Sequence, residues 1–257
     1  MLKTSKYLSA GALCLLATTM GMFSQTNSVL ADSMLKGTEY KNSASGADFK
    51  NYDDDQVVPG LFQNLLSLNG LPVVSEFGKT YSGPSGPITQ YDQVTGEVQW
   101  WKNEVGPLNT PLTSATVAGI TGLGVSIAKD FYPTGSSDDT TEMAAAHWQI
   151  KFNVTNPNEN LLILAIHADD DAWGFVDREL SADDGGTHAI SVAPAVGKKV
   201  LTVGEHTLDI FFADRGPVQA GIEFAYVVTP EPINYVGAFV ALGIGAFLKK
   251  KTNSKIR

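Results

Sequence analysis

The chain has 257 residues with 27 acidic and 18 basic side chains, and its net charge of −9 makes polyanionic nucleic acid a poor partner. It contains one cysteine, Cys14, which excludes an intrachain disulfide, so packing or a bound metal ion must stabilise the fold. The sequence has no phosphate-binding loop, His-Glu-x-x-His helix or Gly-x-Ser-x-Gly elbow, so a carboxylate-based glycosidase is the one enzyme class that we weigh.

The first 31 residues have the composition of a secretory signal peptide. Lys3 and Lys6 supply a positive n-region, residues 7–23 are mostly small or apolar, and residues 29–31 (Val-Leu-Ala) fit a signal-peptidase site. We expect signal peptidase to cut there, which removes Cys14 with the leader. Because a leucine rather than a small residue precedes Cys14, we expect no lipid attachment.

The exported segment, residues 32–229, is more acidic than the whole chain. Removing two basic residues with the leader and five with the C-terminal tail leaves 11, and removing Glu231 leaves 26 acidic residues, a net charge near −15. Divalent cations are natural partners of such a surface. We expect a linker over 32–46 and one β-rich domain over 47–229, which is long enough for a sizeable core.

The first half of the domain is irregular in sequence. Leucines on one face predict a short helix over residues 60–68, and the Asn-Gly pair that follows predicts a tight turn. Residues 95–101 predict a strand ending in two tryptophans, whose indoles would point to opposite faces. One of them, Trp101, is therefore a candidate ligand contact. Residues 112–127 form an insertion rich in Thr, Ala, Gly and Val whose pattern assigns no element.

The second half predicts antiparallel strands. Residues 147–154 alternate polar and apolar side chains, and residues 161–166 form a continuous apolar run. The turn-like segment between them predicts that they pair as a β-hairpin. Three further strands are predicted over residues 173–176, 205–213 and 220–228. Residues 192–201 are predicted to form a loose connection.

Three consecutive aspartates, Asp169, Asp170 and Asp171, lie between two predicted strands. Adjacent carboxylates repel one another unless hydrogen bonds or a hard cation stabilise them, and Ca²⁺ takes about six to eight oxygen ligands. Two interpretations stay open: a Ca²⁺ site to which Asp184 contributes, or a turn in which a carboxylate caps backbone amides. Neighbouring side chains of an extended chain point apart, so a shared ion would need a turn or a cis peptide.

The other candidate residues have structural alternatives. Residues 183–186 are interpreted first as a turn and second as a source of metal ligands, and residues 53–55 as a solvated acidic loop. Trp173 is predicted to lie in the core rather than to stack on a sugar, because Phe175 follows it in a strand. His188 is a candidate ligand contact, and a hydrogen-bonded structural role is its alternative.

The last 28 residues are organised like a membrane anchor. Residues 233–248 contain one polar side chain and no charge, and with snorkelling lysines they reach the length of a membrane span. The sorting motif and the membrane stop are, respectively, Pro230, Glu231, Pro232 and Lys249, Lys250, Lys251. This arrangement resembles a PEP-CTERM sorting signal, which implies that an exosortase recognises the tripeptide and removes the tail after export.

Three motifs in the second half resemble the fibro-slime domain. Residues 167–176 combine the triple aspartate with an aromatic strand, residues 183–188 read Asp-Asp-Gly-Gly-Thr-His, and residues 208–215 are similar to its Phe-Phe-Ala-containing strand. The resemblance covers residues 47–225 and implies a PA14-like antiparallel β-sandwich. It also implies that Ca²⁺ binds adjacent aspartates, with a sugar beside the ion. Gly174 departs from the family pattern.

These features predict a mostly β protein flanked by a signal peptide and a single transmembrane helix. We expect it to be exported, anchored in the inner membrane before processing, and then released to the cell surface or extracellular matrix. Its predicted role is adhesion or binding of an extracellular polysaccharide, with Ca²⁺ as a candidate cofactor. The alternatives are a purely structural surface protein and, third, a glycosidase, although we expect no enzymatic activity.

Overall fold

The computed structural model describes the central part of the chain. The described residues are 34–43, 48–49, 54–127, 142–190, 193–216 and 219–229. The predicted signal peptide and the predicted sorting signal lie outside these ranges and stay predictions. Within the described ranges, no helix is both long enough and apolar enough to cross a membrane.

Eleven strands in the described part of the chain form two antiparallel sheets. In spatial order, the six-stranded sheet contains β2 (Glu104–Pro111), β1 (Met34–Ser43), β5 (Glu142–Val154), β10 (Gly204–Ala213), β7 (Asp171–Val176) and β8 (Glu179–Asp184). The five-stranded sheet contains β3 (Thr113–Val117), β4 (Ile120–Ile127), β11 (Gly221–Thr229), β6 (Leu161–Asp169) and β9 (Ala195–Val200).

The two sheets pack face to face over an apolar core. In β10, Leu208, Ile210 and Phe212 point between the sheets, and Leu164 and Ile166 of β6 belong to the same cluster. These five side chains are fully buried, and burying a side chain of this size stabilises the fold by about 1.5–3 kcal/mol. The prediction of a mostly β sandwich of two antiparallel sheets is therefore confirmed.

A glycine in β7 allows the sheets to approach closely. A Cβ atom on Gly174 would lie 2.4 Å from Leu164 Cδ2 and 2.8 Å from Ile166 Cδ1. Both distances are far shorter than a normal carbon–carbon contact, so a larger residue would overpack the core. The departure from the fibro-slime pattern at this position thus has a packing reason.

A long segment, residues 54–101, covers one end of the outer face of the six-stranded sheet. It contains the short helix α1 (Glu76–Thr80) and a 3-10 helix (Gln99–Trp101). Aromatic rings fasten it to the sheet, because the Trp173 ring of β7 lies 4.1 Å from Phe62 and 6.1 Å from Trp100. The segment is therefore part of the folded domain rather than an appendage.

The predicted helix over residues 60–68 is wrong. These residues form turns and isolated bridges, in which Phe62 pairs with Val74. Leu61 is fully buried whereas Leu65 is 60% exposed, so the leucines do not share one buried face. The predicted tight turn after them is present, with a positive φ at Gly70.

Several strands differ from the sequence-based expectation. Residues 34–43 of the predicted linker form β1, which pairs with β2 and β5. The predicted hairpin of 147–154 with 161–166 is wrong, because β5 pairs with β1 and β10 while β6 pairs with β11 and β9 of the other sheet. The predicted loose connection contains β9, and residues 112–127 form the β3–β4 hairpin.

Candidate functional site

The candidate site lies where the chain passes from one sheet to the other. Strand β6 of the five-stranded sheet ends at Asp169 and β7 of the six-stranded sheet begins at Asp171, with a cis peptide bond between Asp169 and Asp170. Asp169 pairs with Gly221 and Asp171 with Ala213. Each of the three aspartates is at most 5% exposed, so this end of the sandwich concentrates buried carboxyl groups.

Asp170 caps the backbone that follows β10. Its Oδ2 accepts hydrogen bonds from the backbone N–H groups of Arg215, at 2.7 Å, and Gly216. Burial, reinforced by the charges of Asp171 and Asp169, raises the pKa of the Asp170 carboxyl well above its ordinary value. The folded state therefore favours the protonated form of Asp170 more than an exposed aspartate would.

Arg215 forms a two-point ion pair with Asp171. Its Nε lies 2.6 Å from Asp171 Oδ2 and its Nη2 lies 2.9 Å from Oδ1, and both side chains are fully buried. The guanidinium also lies 5.0 Å from the Trp100 ring centroid, within cation–π range. Burial opposes the charge of Arg215, but Asp171 and Asp170 raise its pKa above the ordinary value. The charged pair thus ties β7 to the end of β10.

Two further aspartates at the end of β8 complete the cluster. Asp184 Oδ2 accepts a hydrogen bond from Ala168 N at 2.8 Å, and Asp183 Oδ2 accepts one from Gly60 N at 2.7 Å. Burial raises the pKa of both carboxyl groups, that of Asp184 to about 8. Asp184 Oδ1 lies 3.9 Å from His188 Nε2, beyond hydrogen-bonding distance. Asp184 and Asp183 therefore cap backbone amides, and burial favours the protonated form of both.

Asp54 attaches the covering segment to the same end of the sandwich. Its carboxylate accepts hydrogen bonds from Tyr81 Oη at 3.0 Å, from Ser85 N at 3.1 Å and from Thr187 N at 3.2 Å. Burial raises the pKa of Asp54, but these hydrogen bonds outweigh it and hold the pKa below its ordinary value. The prediction of a solvated loop is wrong for Asp54, which is 7% exposed, and holds for the exposed Asp55.

The carboxylate oxygens of the cluster are ligands that a hard cation prefers, but most of those described above accept hydrogen bonds from N–H groups of the protein. Asp184 Oδ1 is buried without a hydrogen-bond partner among the described residues, and carboxylate oxygens of this kind are preferred Ca²⁺ ligands. Among the same described residues, no group of three or more His, Cys, Asp or Glu side chains is arranged to hold a metal ion. The Ca²⁺ site assigned to Asp169, Asp170, Asp171 and Asp184 therefore stays a prediction.

The two predicted ligand contacts are both buried. Trp101 is 3% exposed, and its indole N–H donates to the carbonyl oxygens of Ala146 and Phe212, each at 3.2 Å. The expected exposure of one indole is thus wrong, because the covering segment folds both tryptophans into the aromatic cluster. His188 is 1% exposed, which leaves no ring face open to a sugar. Trp173 lies in the core as predicted.

No protein-family model matches the chain, and no curated protein matches it significantly. Among solved structures, the chain is similar to the PA14 sugar-binding domain from an RTX adhesin, with 11% identity, a TM-score of 0.37, and coverage of 77% of this chain and 95% of that chain. It is also similar to the Epithelial Adhesin 9 A domain from Candida glabrata in complex with Galb1-4GlcNAc, with 12% identity, a TM-score of 0.36, and coverage of 82% and 89%.

A third similar structure is an anti-sigma factor domain-containing protein from Clostridium clariflavum, with 9% identity, a TM-score of 0.37, and 77% of this chain covered. The chain covers less than half the length of this protein and of a second protein with the same description, 45% and 42% respectively. Similarity at these levels assigns neither a ligand nor an activity. The PEP-CTERM and fibro-slime resemblances stay predictions.

Proposed function

We propose that this chain is an exported surface or matrix protein that binds glycan, with Ca²⁺ held at the aspartate-rich end of the sandwich. The observation that carries the proposal is the excess of carboxyl groups at that end. Five carboxyl groups meet there and one guanidinium, that of Arg215, faces them, the carboxyl groups being those of Asp169, Asp170, Asp171, Asp183 and Asp184.

Buried carboxylates in such excess take up either protons or a cation. The raised pKa values of Asp170, Asp183 and Asp184 show that, without a cation, these carboxyl groups favour the protonated form. A divalent cation would replace the protons and supply the missing positive charge, and the hard oxygen donors present favour Ca²⁺ over softer metals. Asp183 is the one partly exposed carboxyl group of the five, so it is where the hydroxyl groups of a sugar could reach such an ion.

The exported location in the proposal rests on the sequence. The leader implies signal peptidase as a partner, and the tail implies an exosortase, with the inner membrane as an anchor before processing. An extracellular polysaccharide is the glycan that such a protein would meet. The expected mature protein lacks residues 1–31 and the segment after residue 232.

Intact mass spectrometry of the protein from the cell surface tests this maturation. We expect one mass that corresponds to a chain starting at Asp32 and ending near Pro232. Recovery of full-length chains alone, embedded in the membrane by an uncut C-terminus, would show that the exosortase assignment is wrong. A chain that is cut after residue 31 but keeps its C-terminus would support export and would contradict processing by an exosortase.

A structural role without any ligand is the second candidate, and one observation favours it. The oxygens of Asp170, Asp171 and Asp184 already accept backbone hydrogen bonds, as expected of residues that only shape a turn. Neither candidate assigns a catalytic role to these carboxyl groups, and a glycosidase would additionally need two of them across an open groove.

A glycan array probed with and without chelator separates the two candidates. We expect the full-length protein to bind a subset of glycans in Ca²⁺ and to lose that binding in EDTA. The Asp169→Asn/Asp184→Asn variant should lose it as well, whereas Glu205→Gln, at an exposed carboxylate of β10, should retain it. Binding to no glycan in Ca²⁺ would leave the structural role.

A further inference from the structure

A cleft lies on the outer face of the six-stranded sheet, beside the edge of the covering segment. Its volume is about 520 Å³, within the range of about 300–1,000 Å³ typical of small-molecule sites. The floor consists of side chains from two paired strands, His147 and Gln149 of β5 and Thr207 and Asp209 of β10. The cleft is thus where the aromatic covering ends and polar residues of the sheet begin.

The floor contains a fixed polar network. Asp209 Oδ1 accepts hydrogen bonds from His147 Nε2 at 2.9 Å and Gln149 Nε2 at 3.0 Å, and Asp209 itself is 4% exposed. The His147 ring stacks flat on Phe211, with centroids 4.1 Å apart and planes at 2°. When the neutral imidazole donates from Nε2, its Nδ1 is an acceptor, so the floor presents both donors and acceptors in set orientations.

The wall of the cleft is a short loop that is held in place before any ligand arrives. Arg178 Nη2 donates to the carbonyl oxygens of Leu66, at 3.0 Å, and Ser67, at 2.5 Å. On the other side of the turn, Asn69 Nδ2 donates to Glu97 Oε1 at 2.7 Å. This leaves Leu68, which is 93% exposed, as an apolar side chain on a rigid wall.

We propose that this cleft is a ligand site for an uncharged saccharide unit, bound without a metal ion. Gln149 and His147, which Asp209 orients, can exchange hydrogen bonds with neighbouring hydroxyl groups, and the exposed Leu68 can cover the C–H face of a sugar ring. The cleft is lined by two carboxylates, Asp177 and Asp209, and one guanidinium, Arg178, so no sign of charge dominates and an uncharged ligand suits it.

This inference goes beyond the proposed function, since the cleft includes none of the five aspartates of the sandwich end. Metal removal separates the two sites. A saccharide held by the cleft should bind equally well in EDTA, whereas binding at the aspartate-rich end should be lost. If the Ca²⁺ proposal is wrong, saccharide binding by the cleft is still expected. If the cleft binds no saccharide, Ca²⁺-dependent binding at the aspartate-rich end is still expected.

The test uses full-length protein in EDTA and in a detergent without a sugar headgroup. The probes are the methyl glycosides of glucose, galactose, mannose and N-acetylglucosamine, titrated to millimolar concentrations while NMR follows the His147 ring and the Gln149 carboxamide. We expect saturable shifts of these signals with at least one glycoside. Gln149→Ala and Asp209→Asn should each weaken that binding by about tenfold or more.

A matched control exists on the same strand. Asn153→Ala removes an exposed carboxamide from β5 outside the cleft and should leave the affinity unchanged, as should Asp169→Asn/Asp184→Asn. The proposal is overturned if no glycoside shifts the cleft signals, or if Asn153→Ala and Gln149→Ala weaken binding equally. Choline is titrated as a cationic probe for comparison, and shifts with choline but with no glycoside would identify a site for organic cations and would overturn the proposal as well.

Discussion

Arg215 is the residue that balances the aspartate-rich end. Its guanidinium is fully buried between Asp171 and the Trp100 ring, and it is the one arginine or lysine side chain that the described ion pairs place there. Desolvating two charges costs several kcal/mol, which close two-point geometry offsets. Removing one partner therefore leaves an uncompensated buried charge, which destabilises the fold more than replacing both partners with apolar residues would.

We expect Arg215→Met to lower the free energy of unfolding by about 3–5 kcal/mol. The loss should be measured by urea denaturation of the full-length protein. In the double variant Asp171→Asn/Arg215→Met, the two losses should not add, because each single change already breaks the pair. A single-variant loss within about 0.5 kcal/mol would contradict the assigned role of the pair.

His206 is a second residue whose charge supports the fold. Its Nδ1 lies 2.7 Å from Asp177 Oδ2 and its Nε2 lies 2.7 Å from the Thr202 carbonyl oxygen, so both ring nitrogens face acceptors. Burial lowers the pKa of His206, but these two hydrogen bonds outweigh it and raise the pKa above 6.5. Protonation is therefore favoured in the folded state.

The raised pKa of His206 gives stability a pH dependence of known sign. The folded state binds its proton more tightly than the unfolded state, so the contribution is complete below pH 6.5 and is lost as pH rises through the raised pKa. We expect His206→Gln to reduce this fall in denaturation curves recorded from pH ~6 to pH ~8, and the raised pKa of Asp184, which acts in the same direction, to supply the remainder. His167→Gln is the control, because burial lowers the pKa of His167 and its effect has the opposite sign. An unchanged fall in His206→Gln would refute the assignment.

At the scale of elements, periodicity predicted strands but not their partners. Residues 147–154 and 161–166 are strands as expected, yet they lie in different sheets, because alternation reports which face is buried and says nothing about the neighbour. Strand β1 was missed because it has few apolar residues and contains a glycine, Gly37, which is uncommon in strands. The structure explains this glycine, because a Cβ at position 37 would lie 2.6 Å from Trp148 Cδ1.

The candidate site was predictable to a similar extent. The aspartates and the Asp-Asp-Gly-Gly run at residues 183–186 stand out by composition, although Asp183 and Asp184 belong to β8 rather than to a turn, and the motif over residues 208–215 ends in Arg215. Asp54 could not be assigned, since its partners Tyr81 and Ser85 lie in one loop and Thr187 in another, and only the fold brings them together. The cleft was missed for the same reason.

Close contact between the edge strands β8 and β9 gives an element-scale prediction. A Cβ on Gly197 of β9 would lie 1.8 Å from the Ser181 carbonyl oxygen of β8, so backbone would have to move. We expect Gly197→Ala to lower the free energy of unfolding, measured by urea denaturation, by about 1–3 kcal/mol. Gly106→Ala, in the edge strand β2 with no atom near its Cβ position, should be neutral within about 0.5 kcal/mol. Equal effects of the two changes would show that β8 and β9 do not meet at Gly197.

At the scale of the whole molecule, residues 32–229 combine a net charge near −15 with no cysteine. Its two sheets and the aromatic cluster supply the apolar burial, while the excess carboxylates repel one another. Solution conditions that neutralise this charge should therefore change the stability of the entire domain rather than of one loop. The aspartate-rich end joins both sheets, so an ion bound there would act on both at once.

Ca²⁺ should accordingly raise the melting temperature of the protein. An ion that binds only the folded state stabilises it by about 2.7 kcal/mol at a hundredfold excess over Kd, and a domain of this size gains about 2–4 °C per kcal/mol. Mg²⁺ at equal ionic strength is the control for screening, since it prefers tighter octahedral geometry and should substitute poorly. The rise should vanish in Asp169→Asn/Asp184→Asn, a variant that keeps the Asp171–Arg215 pair. If Ca²⁺ and Mg²⁺ raise the melting temperature equally, and the variant responds like the wild type, the effect is general screening and the aspartates form a structural turn.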